Sequence, residues 1–587
     1  MATPSTTTAP AIPSNAGGHT TPDIRKWFAL AATCFGLFMT LLDVTVVNVA
    51  LPTIQRDLSA SFADLQWVLN AYAIALAVFL VTAGRLGDIF GRKRVFMTGL
   101  GVFMLGSLLC ALSADITIGG LSHITLLLAA RAIQGVGGSI MLPLSLAIIS
   151  ATFQGKQRGT AIGIWGGVAG LATAIGPVVG GVLVQQVNWQ SIFYLNVPIG
   201  VAGILLTAWA VRESRDERAP RAVDVFGLVT SAAGVFCLVL ALIQGGDQDK
   251  GWTSPYILTL FGIAAVALVV FVVGELRIKN PMVDPRLFTN ASYTGAAIAG
   301  FTLAAGLYSL FFFLALYFQN FLAFAALATG LRFLPLSVPN LVGAPLSGAL
   351  TDRIGPRPLL VAGMVILTGA VLWMTRISPS DHQGDWVYLI PAFVLAGLGS
   401  GLVNPPISTV AVGTVGHARA GMASAVSNVC RQVGIAFGIA FLGAVLTSRY
   451  NGYIHAKIMA LQAPYLTTAI RQNIIGGVQK AGTIAGSLGL PNDPAHPSPY
   501  AGTPLYHQVQ QAARASFVLG LDDILKVAAV ILAVGAVASA LLVKSSDLLA
   551  PAWDNSAGPD HTGTHATTEA VVVPSRSSLS PRAEGAG

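Results

Sequence analysis

The sequence predicts an all-α polytopic membrane protein with about fourteen spanning helices, and three observations carry that prediction. Only 10% of the 587 residues are charged and 54% are hydrophobic, with a mean hydropathy of +0.70; soluble domains carry about 25% charged residues. Uncharged runs of about 20 residues recur from Trp27 to Val543, each long enough to cross roughly 30 Å of hydrocarbon as a helix. Basic residues fall in alternate loops, the pattern that orients helices in a membrane.

Spans are expected to start near residues 27, 66, 94, 124, 158, 189, 224, 253, 292, 330, 358, 387, 420 and 522. The first holds LDVTVVNVALP, Leu42 to Pro52, where Asp43 and Asn48 interrupt an apolar stretch. The second runs without a charge from Leu65 to Ala83 and ends in GRLGDIFGRKR, Gly84 to Arg94. The fourth carries RAIQGVGGS, Arg131 to Ser139, which includes Gln134. GIWGGVAGLATAIGPVVGG, Gly163 to Gly181, lies in the fifth, and WQSIFYLNVPIG, Trp189 to Gly200, opens the sixth. Asp224–Gln244 and Thr253–Val273 make an extra pair. The tenth ends in GALTDRIGPRP, Gly348 to Pro358, an echo of the cluster after the second, and the thirteenth contains NVCRQVGIAFG, Asn428 to Gly438. Six spans with the cluster after the second, an extra pair, then six more with the echo after the second fit a duplicated six-helix unit.

The expected division is a tail at 1–26, a first bundle at 27–211, a linker pair with its loops at 212–291, a second bundle at 292–543 and a polar tail at 544–587. Within the second bundle, residues 448–520 read as a long loop outside the membrane. Its amphipathic stretches Tyr453–Ile484 and Leu505–Leu519 flank PNDPAHPSPY and suggest a helical hairpin, with a floppy insertion as the alternative. Asp522 and Asp523 would then stand at the outer start of the last span, as cation attractors or helix-dipole partners.

One set of loops holds Arg85, Arg92, Lys93, Arg94, Arg353 and Arg357 among many others, while the opposite short loops hold few, Arg56 and Lys250 among them. That asymmetry assigns the first set, both copies of the cluster and both termini to the cytoplasm. The first two dozen residues lack the basic start and apolar core of a signal peptide. They and the tail beyond Trp553 read as disordered.

Composition excludes several classes. The net charge of +8 speaks to orientation and lipid headgroups; no aromatic-interleaved basic surface marks a nucleic-acid binder. The four cysteines, Cys34, Cys110, Cys237 and Cys430, lie singly in apolar runs, as packing residues rather than a disulfide framework or metal site. No G-x-x-x-x-G-K-[ST] phosphate loop and no local nucleophile signature occurs. No cofactor is implied. An ion gradient is the remaining energy source. One proton supplies about 2.3 kcal/mol per 100 mV and about 1.4 per pH unit, enough for several hundredfold accumulation.

GRLGDIFGRKR resembles the cytoplasmic loop signature of the major facilitator superfamily. LDVTVVNVALP, RAIQGVGGS, the Gly163–Gly181 run, WQSIFYLNVPIG and NVCRQVGIAFG resemble motifs of its fourteen-helix drug/proton antiporters, with Ala172 where the fifth-helix pattern favours glycine. The resemblance covers nearly all of Trp27–Val543. It implies a major facilitator fold, two six-helix halves plus two central helices, in a bacterial cell (inner) membrane, exporting a lipophilic drug, cationic drugs included, in exchange for protons. It implies a latch between the halves at Gly84, Asp88, Gly91 and Arg92 and at Gly348, Asp352, Arg353 and Gly355. It also makes Gly163, Gly176, Pro177, Gly180 and Gly181 the antiporter helix motif.

Asp43 is the one acid placed deep in the first six apolar runs, and a charge there is costly enough to be functional by default. Arg131 is the buried base of the same half, and the resemblance places both helices on a central cavity. The expectation is that Asp43 exchanges a proton, that Arg131 tunes it and that Asn48 and Gln134 line the same cavity; a static ion pair holding the helices is the alternative. In the second half, Asn428 and Arg431 are candidates for the cavity, although structural packing is the favoured reading of Arg431 and of Arg332. A dedicated exporter of a siderophore, lipid precursor or antibiotic, and a non-transporting sensor or scaffold, stand as rival readings. A periplasmic adaptor as partner is left open.

Overall fold

The computed structural model describes residues 24–116, 119–153, 156–215, 224–245, 251–278, 281, 283–415, 420–461, 467–488, 503–544 and 547. All lie in one compact unit, Met1–Leu548. Among them are fourteen helices long and apolar enough to cross a membrane, and the chain is a multi-pass membrane protein. Most of the two expected disordered tails, and the PNDPAHPSPY turn, lie outside the described residues.

The spans are α1 (Ile24–Leu58), α2 (Phe62–Phe90), α3 (Arg92–Leu112), α4 (His123–Thr152), α5 (Lys156–Gln186), α6 (Ser191–Ala210) and α7 (Val225–Gly245). They continue with α8 (Pro255–Arg277), α9 (Ala291–Phe321), α10 (Ala326–Thr351), α11 (Pro356–Met374), α12 (Gln383–Gly413), α13 (Ala420–Met459) and α14 (Pro504–Leu542). A further helix, Thr468–Leu488, stands between α13 and α14. Local chemistry sets many of the starts. Ser61 and Asp64 form a capping box on α2, Ser122 caps α4, Asn290 caps α9, and Ser254–Pro255 and Thr503–Pro504 open α8 and α14.

The repeated cluster has a backbone reason. Gly91 joins α2 to α3 at φ +105°, and Gly355 joins α10 to α11 at φ +80°, a region that side chains disfavour. The same glycine-dependent turn is thus used twice, at equivalent places. At Gly91 a Cβ would also run into the Glu213 carboxyl at 2.6 Å.

α1 to α6 pack together, with α4 against α2 and α3, and α1 against α4, α5 and α6. In the other group, α12 packs on α10 and α11, and α14 on α9, α11 and α13. The groups meet most extensively through α2 with α13 and α5 with α10. The α7–α8 pair is not inserted between them; α7 rests on α2 and α13. α9 departs from α-helical winding in two π-turns, Ala304–Tyr308 and Tyr317–Phe321.

The last span departs from the sequence expectation. The helix that holds it begins at Pro504, so Leu505–Leu519 is continuous with α14, Tyr453–Met459 continues α13, and Thr468–Leu488 packs on both. Packing explains the difference. Leu505, Val509, Ala513 and Phe517 are buried, and Arg514, which makes this stretch look interfacial, donates to the Phe321 carbonyl at 2.5 Å and lies over its ring. Asp522 and Asp523 are consequently in mid-helix, away from any helix start. Asp522 pairs with Lys526 at 2.6 Å, and Asp523 accepts the Tyr453 hydroxyl at 2.9 Å beside Arg449.

Candidate functional site

Asp43 lies well inside α1 and is 3% exposed. Arg131 and Gln134, one turn apart on α4, face it together. Arg131 Nη1 donates to Asp43 Oδ2 at 2.5 Å and to Gln134 Oε1 at 2.6 Å, while Gln134 Nε2 donates to Asp43 Oδ1 at 2.8 Å. The carboxylate, guanidinium and amide therefore close a ring of charge-assisted bonds. Gln134 Nε2 also donates to Ser107 Oγ of α3 at 2.7 Å, and Asn196 of α6 donates to the same hydroxyl at 3.2 Å. Arg131 Nε donates to the Val68 carbonyl of α2 at 3.1 Å, and the guanidinium lies 4.4 Å over the Tyr72 ring. The network ties five helices of one half through a buried ion pair. Removing either charge would strand the other, which typically costs about 3–5 kcal/mol.

Asn48 is not part of this ring. Its described bond is to the Val44 carbonyl of its own helix, at 2.8 Å. Ser107, Tyr72 and Asn196 are members that sequence reasoning did not single out, although Asn196 lies inside WQSIFYLNVPIG.

The small residues of α5 sit at the junction of the halves. A Cβ at Gly176 or Gly180 would overlap Thr45 or press on Val46 of α1. Gly181 lies against Leu327, and the Pro177 carbonyl abuts Gly330, both of α10. Gly163 is also in α5. Contact between α5 and α10 extends to Gly170 and Leu341, but at Gly166, Gly167 and Gly348 an added Cβ meets nothing within 4 Å. The pair is therefore closed at the end remote from Gly91 and Gly355, and splayed toward those turns.

Three glutamines reinforce the closed end. Gln66 Nε2 donates to the Ile439 carbonyl at 2.8 Å, Gln319 Nε2 donates to the Val49 carbonyl at 2.8 Å, and Leu327 N donates to Gln185 Oε1 at 3.2 Å. Each bond crosses from one half to the other. Phe62 stacks on Phe312 beside them, with centroids 5.6 Å apart.

The described bonds of Asp88 and Arg92, by contrast, stay in the first half. Arg92 donates twice to Asp88 Oδ1, at 2.8 and 3.0 Å, and its amide donates to the Ser214 carbonyl at 2.9 Å. The Lys93 and Arg94 amides donate to the Glu213 carboxylate at 3.0 and 3.3 Å. Gly84 lies near Pro143 of α4. In this conformation the described bonds of Arg92, Lys93 and Arg94 hold the cluster to the end of α6 and the segment after it. In the echo, Arg357 donates to the Ala540 carbonyl at 2.6 Å and Arg353 is exposed; the Asp352 side chain is outside the description.

In the second half, Asn428 and Arg431 of α13 do line a cleft, shared with Asn404 and Ser408 of α12. Arg431 Nη2 donates to Asn428 Oδ1 at 2.7 Å. Arg332 is elsewhere, stacked 3.4 Å over Phe324 and 4.7 Å over Trp386, a packing role.

Residues 33–439 match the sequence profile of the Major Facilitator Superfamily. The chain is 35% identical over 471 residues to the tetracenomycin C resistance and export protein of Streptomyces glaucescens, covering 79% of this chain and 84% of that one. It is 38% identical over 442 residues to the multidrug resistance protein Stp of Mycobacterium tuberculosis, covering 75% and 78%. Among solved structures, it is similar to a bacterial homologue of the human lysosomal transporter Spinster in an inward-facing, occupied conformation. The TM-score is 0.58 at 16% identity, covering 90% of this chain and 99% of that one.

Proposed function

The chain belongs to the major facilitator superfamily, and from that premise we propose that it exports lipophilic drug-like molecules in exchange for protons, with Asp43 as the proton carrier. The carrying observation is the ring of Asp43, Arg131 and Gln134, an ionisable pair held in apolar surroundings. The names of the relatives support drug efflux, and the fourteen spans support transport across a membrane rather than enzymatic turnover.

The charge asymmetry of the loops supports a cytoplasmic position for the Gly91 and Gly355 turns and both termini, in a bacterial inner membrane. The state with α5 and α10 splayed toward those turns is then the inward-open one. Asp43 bonded to Arg131 is the proton-released form, ready for cargo. After the halves rock, a proton taken from outside would neutralise Asp43 and free Arg131 from it. Proton uptake and cargo release are thereby linked through one side chain. The name of the tetracenomycin relative also favours a second reading, export of one dedicated antibiotic by the same chemistry.

Reconstitution tests the proposal. Proteoliposomes holding the full chain should move rhodamine 123 or fluorescein against its concentration when a pH gradient is imposed, and stop when a protonophore collapses it. Movement of neither dye beyond empty vesicles, or movement indifferent to the protonophore, contradicts it.

A further inference from the structure

The second-half cleft carries a positive charge that the described residues do not balance. Its polar lining is Asn404, Ser408, Ser424, Ser427, Asn428 and Arg431, and no lining residue is acidic. Among the described residues no carboxylate pairs with Arg431, whereas Arg131 in the other half is held by Asp43 at 2.5 Å. A guanidinium offers five N–H donors. The described acceptor for Arg431 is Asn428 Oδ1, at 2.7 Å, and Asn428 is itself fixed by donating to the Ser424 carbonyl at 3.1 Å. Asn404 is similarly fixed on Tyr308, at 2.8 Å. The Asn404 and Asn428 amides donate to Tyr308 and to the Ser400 and Ser424 carbonyls, so the Arg431 guanidinium is the charged donor that the lining offers a ligand.

Such a surface repels a cationic group and rewards an anionic acceptor. The free volume of the cleft is about 30 Å³ in this conformation, room for a small acidic group and not for a whole molecule. Ser408 and Ala411 lie within the last two turns of α12, on the Gly91 and Gly355 side, so the cleft is on the splayed side of the molecule.

We infer that this cleft binds an acidic group of the cargo, a carboxylate or ionised phenol, through Arg431 positioned by Asn428. The inference rests on the export reading and narrows its cargo. It also changes the energetics. One proton in for one monoanion out moves two charges, whereas exchange for a monocation moves none. Export of the acid therefore gains from the membrane potential as well as from the pH gradient.

The test uses two xanthene dyes with the full chain in phosphatidylcholine nanodiscs. Fluorescein carries a carboxylate and an ionised phenol; rhodamine 123 is cationic with its acid esterified. Arg431→Gln should weaken fluorescein binding roughly tenfold to a hundredfold and leave any rhodamine 123 binding within about threefold, with Arg431→Lys in between. Equal loss for both dyes, unchanged fluorescein binding in Arg431→Gln, or a wild type that does not bind fluorescein overturns the inference. Adding phosphatidylglycerol separates the remaining source of negative charge. Displacement of fluorescein by that lipid, lost in Arg431→Gln, makes a headgroup the occupant and also overturns it; undiminished binding supports the cargo. Binding is read without a gradient. Fluorescein that binds through Arg431 but is not moved by an imposed pH gradient therefore fails the export reading and leaves the subsite standing.

Discussion

Asp43→Asn reduces pH-gradient-driven export to the level of empty vesicles. The amide keeps the shape and one acceptor of the carboxylate but cannot exchange a proton at neutral pH. It also leaves the Arg131 guanidinium buried without its counter-charge, at a typical cost of about 3–5 kcal/mol. Loss of transport alone would therefore not distinguish a proton carrier from a structural ion pair. The double variant Asp43→Asn/Arg131→Gln does so. With both charges gone and amides in their place, most of the thermal stability in detergent should return while export stays absent. Recovery of gradient-driven export together with stability would make the pair a static brace.

Gly330→Leu forces the closed end apart. A Cβ at this position has no room, because the Pro177 carbonyl of α5 already occupies it. Overpacking of this kind costs about 1–3 kcal/mol, and here the cost falls on the conformation in which α5 and α10 touch. The ratio of closed to open molecules at that end should drop roughly 5- to 150-fold. Val49 reports it, being 0% exposed with its carbonyl held by Gln319. A cysteine placed there should react slowly with a membrane-impermeant maleimide in the parent chain and faster, by the same factor, in the Gly330→Leu background. Unchanged labelling would mean that this contact does not govern access.

The sequence reading was strongest where a physical cost made a residue conspicuous. Asp43 and Arg131 interrupt apolar runs, and a charge in hydrocarbon needs a reason; the structure joins them directly. Gly91 and Gly355 stood out through the repeat, and both adopt positive φ. Ser107 and the three glutamines that bridge the halves gave no such signal, since neutral polar residues are common in membrane helices and their partners lie 27 to 373 residues away. Asn48 illustrates the converse. It sits one helix face from Asp43 in the same motif, yet its amide turns to its own backbone.

Two further features concern polar residues near helix ends. Gln508, Gln510, Gln511 and Arg514 made the start of α14 resemble a surface segment, whereas the chain continues as one helix packed on α9 and α13. Glu275 lies just beyond Thr253–Val273, the bounds that hydropathy suggests for the eighth span. It is 1% exposed, and its Oε2 accepts the Val283 amide at 3.2 Å, fixing the turn that follows α8. Where a polar group finds an internal partner, polarity alone does not mark the end of a helix.

The central claim is that cargo and proton compete through Asp43, and proton release on binding measures it most directly. Rhodamine 123, which has no acid titrating near neutrality, is added to the full chain in weakly buffered detergent while pH is followed across a pH series. If the ionised, Arg131-bonded form of Asp43 is the one that receives cargo, wild type releases up to about one proton per dye bound, and Asp43→Asn releases none while still binding dye. Dye binding to the wild type without proton release at any pH, or equal release from the variant, would contradict the account.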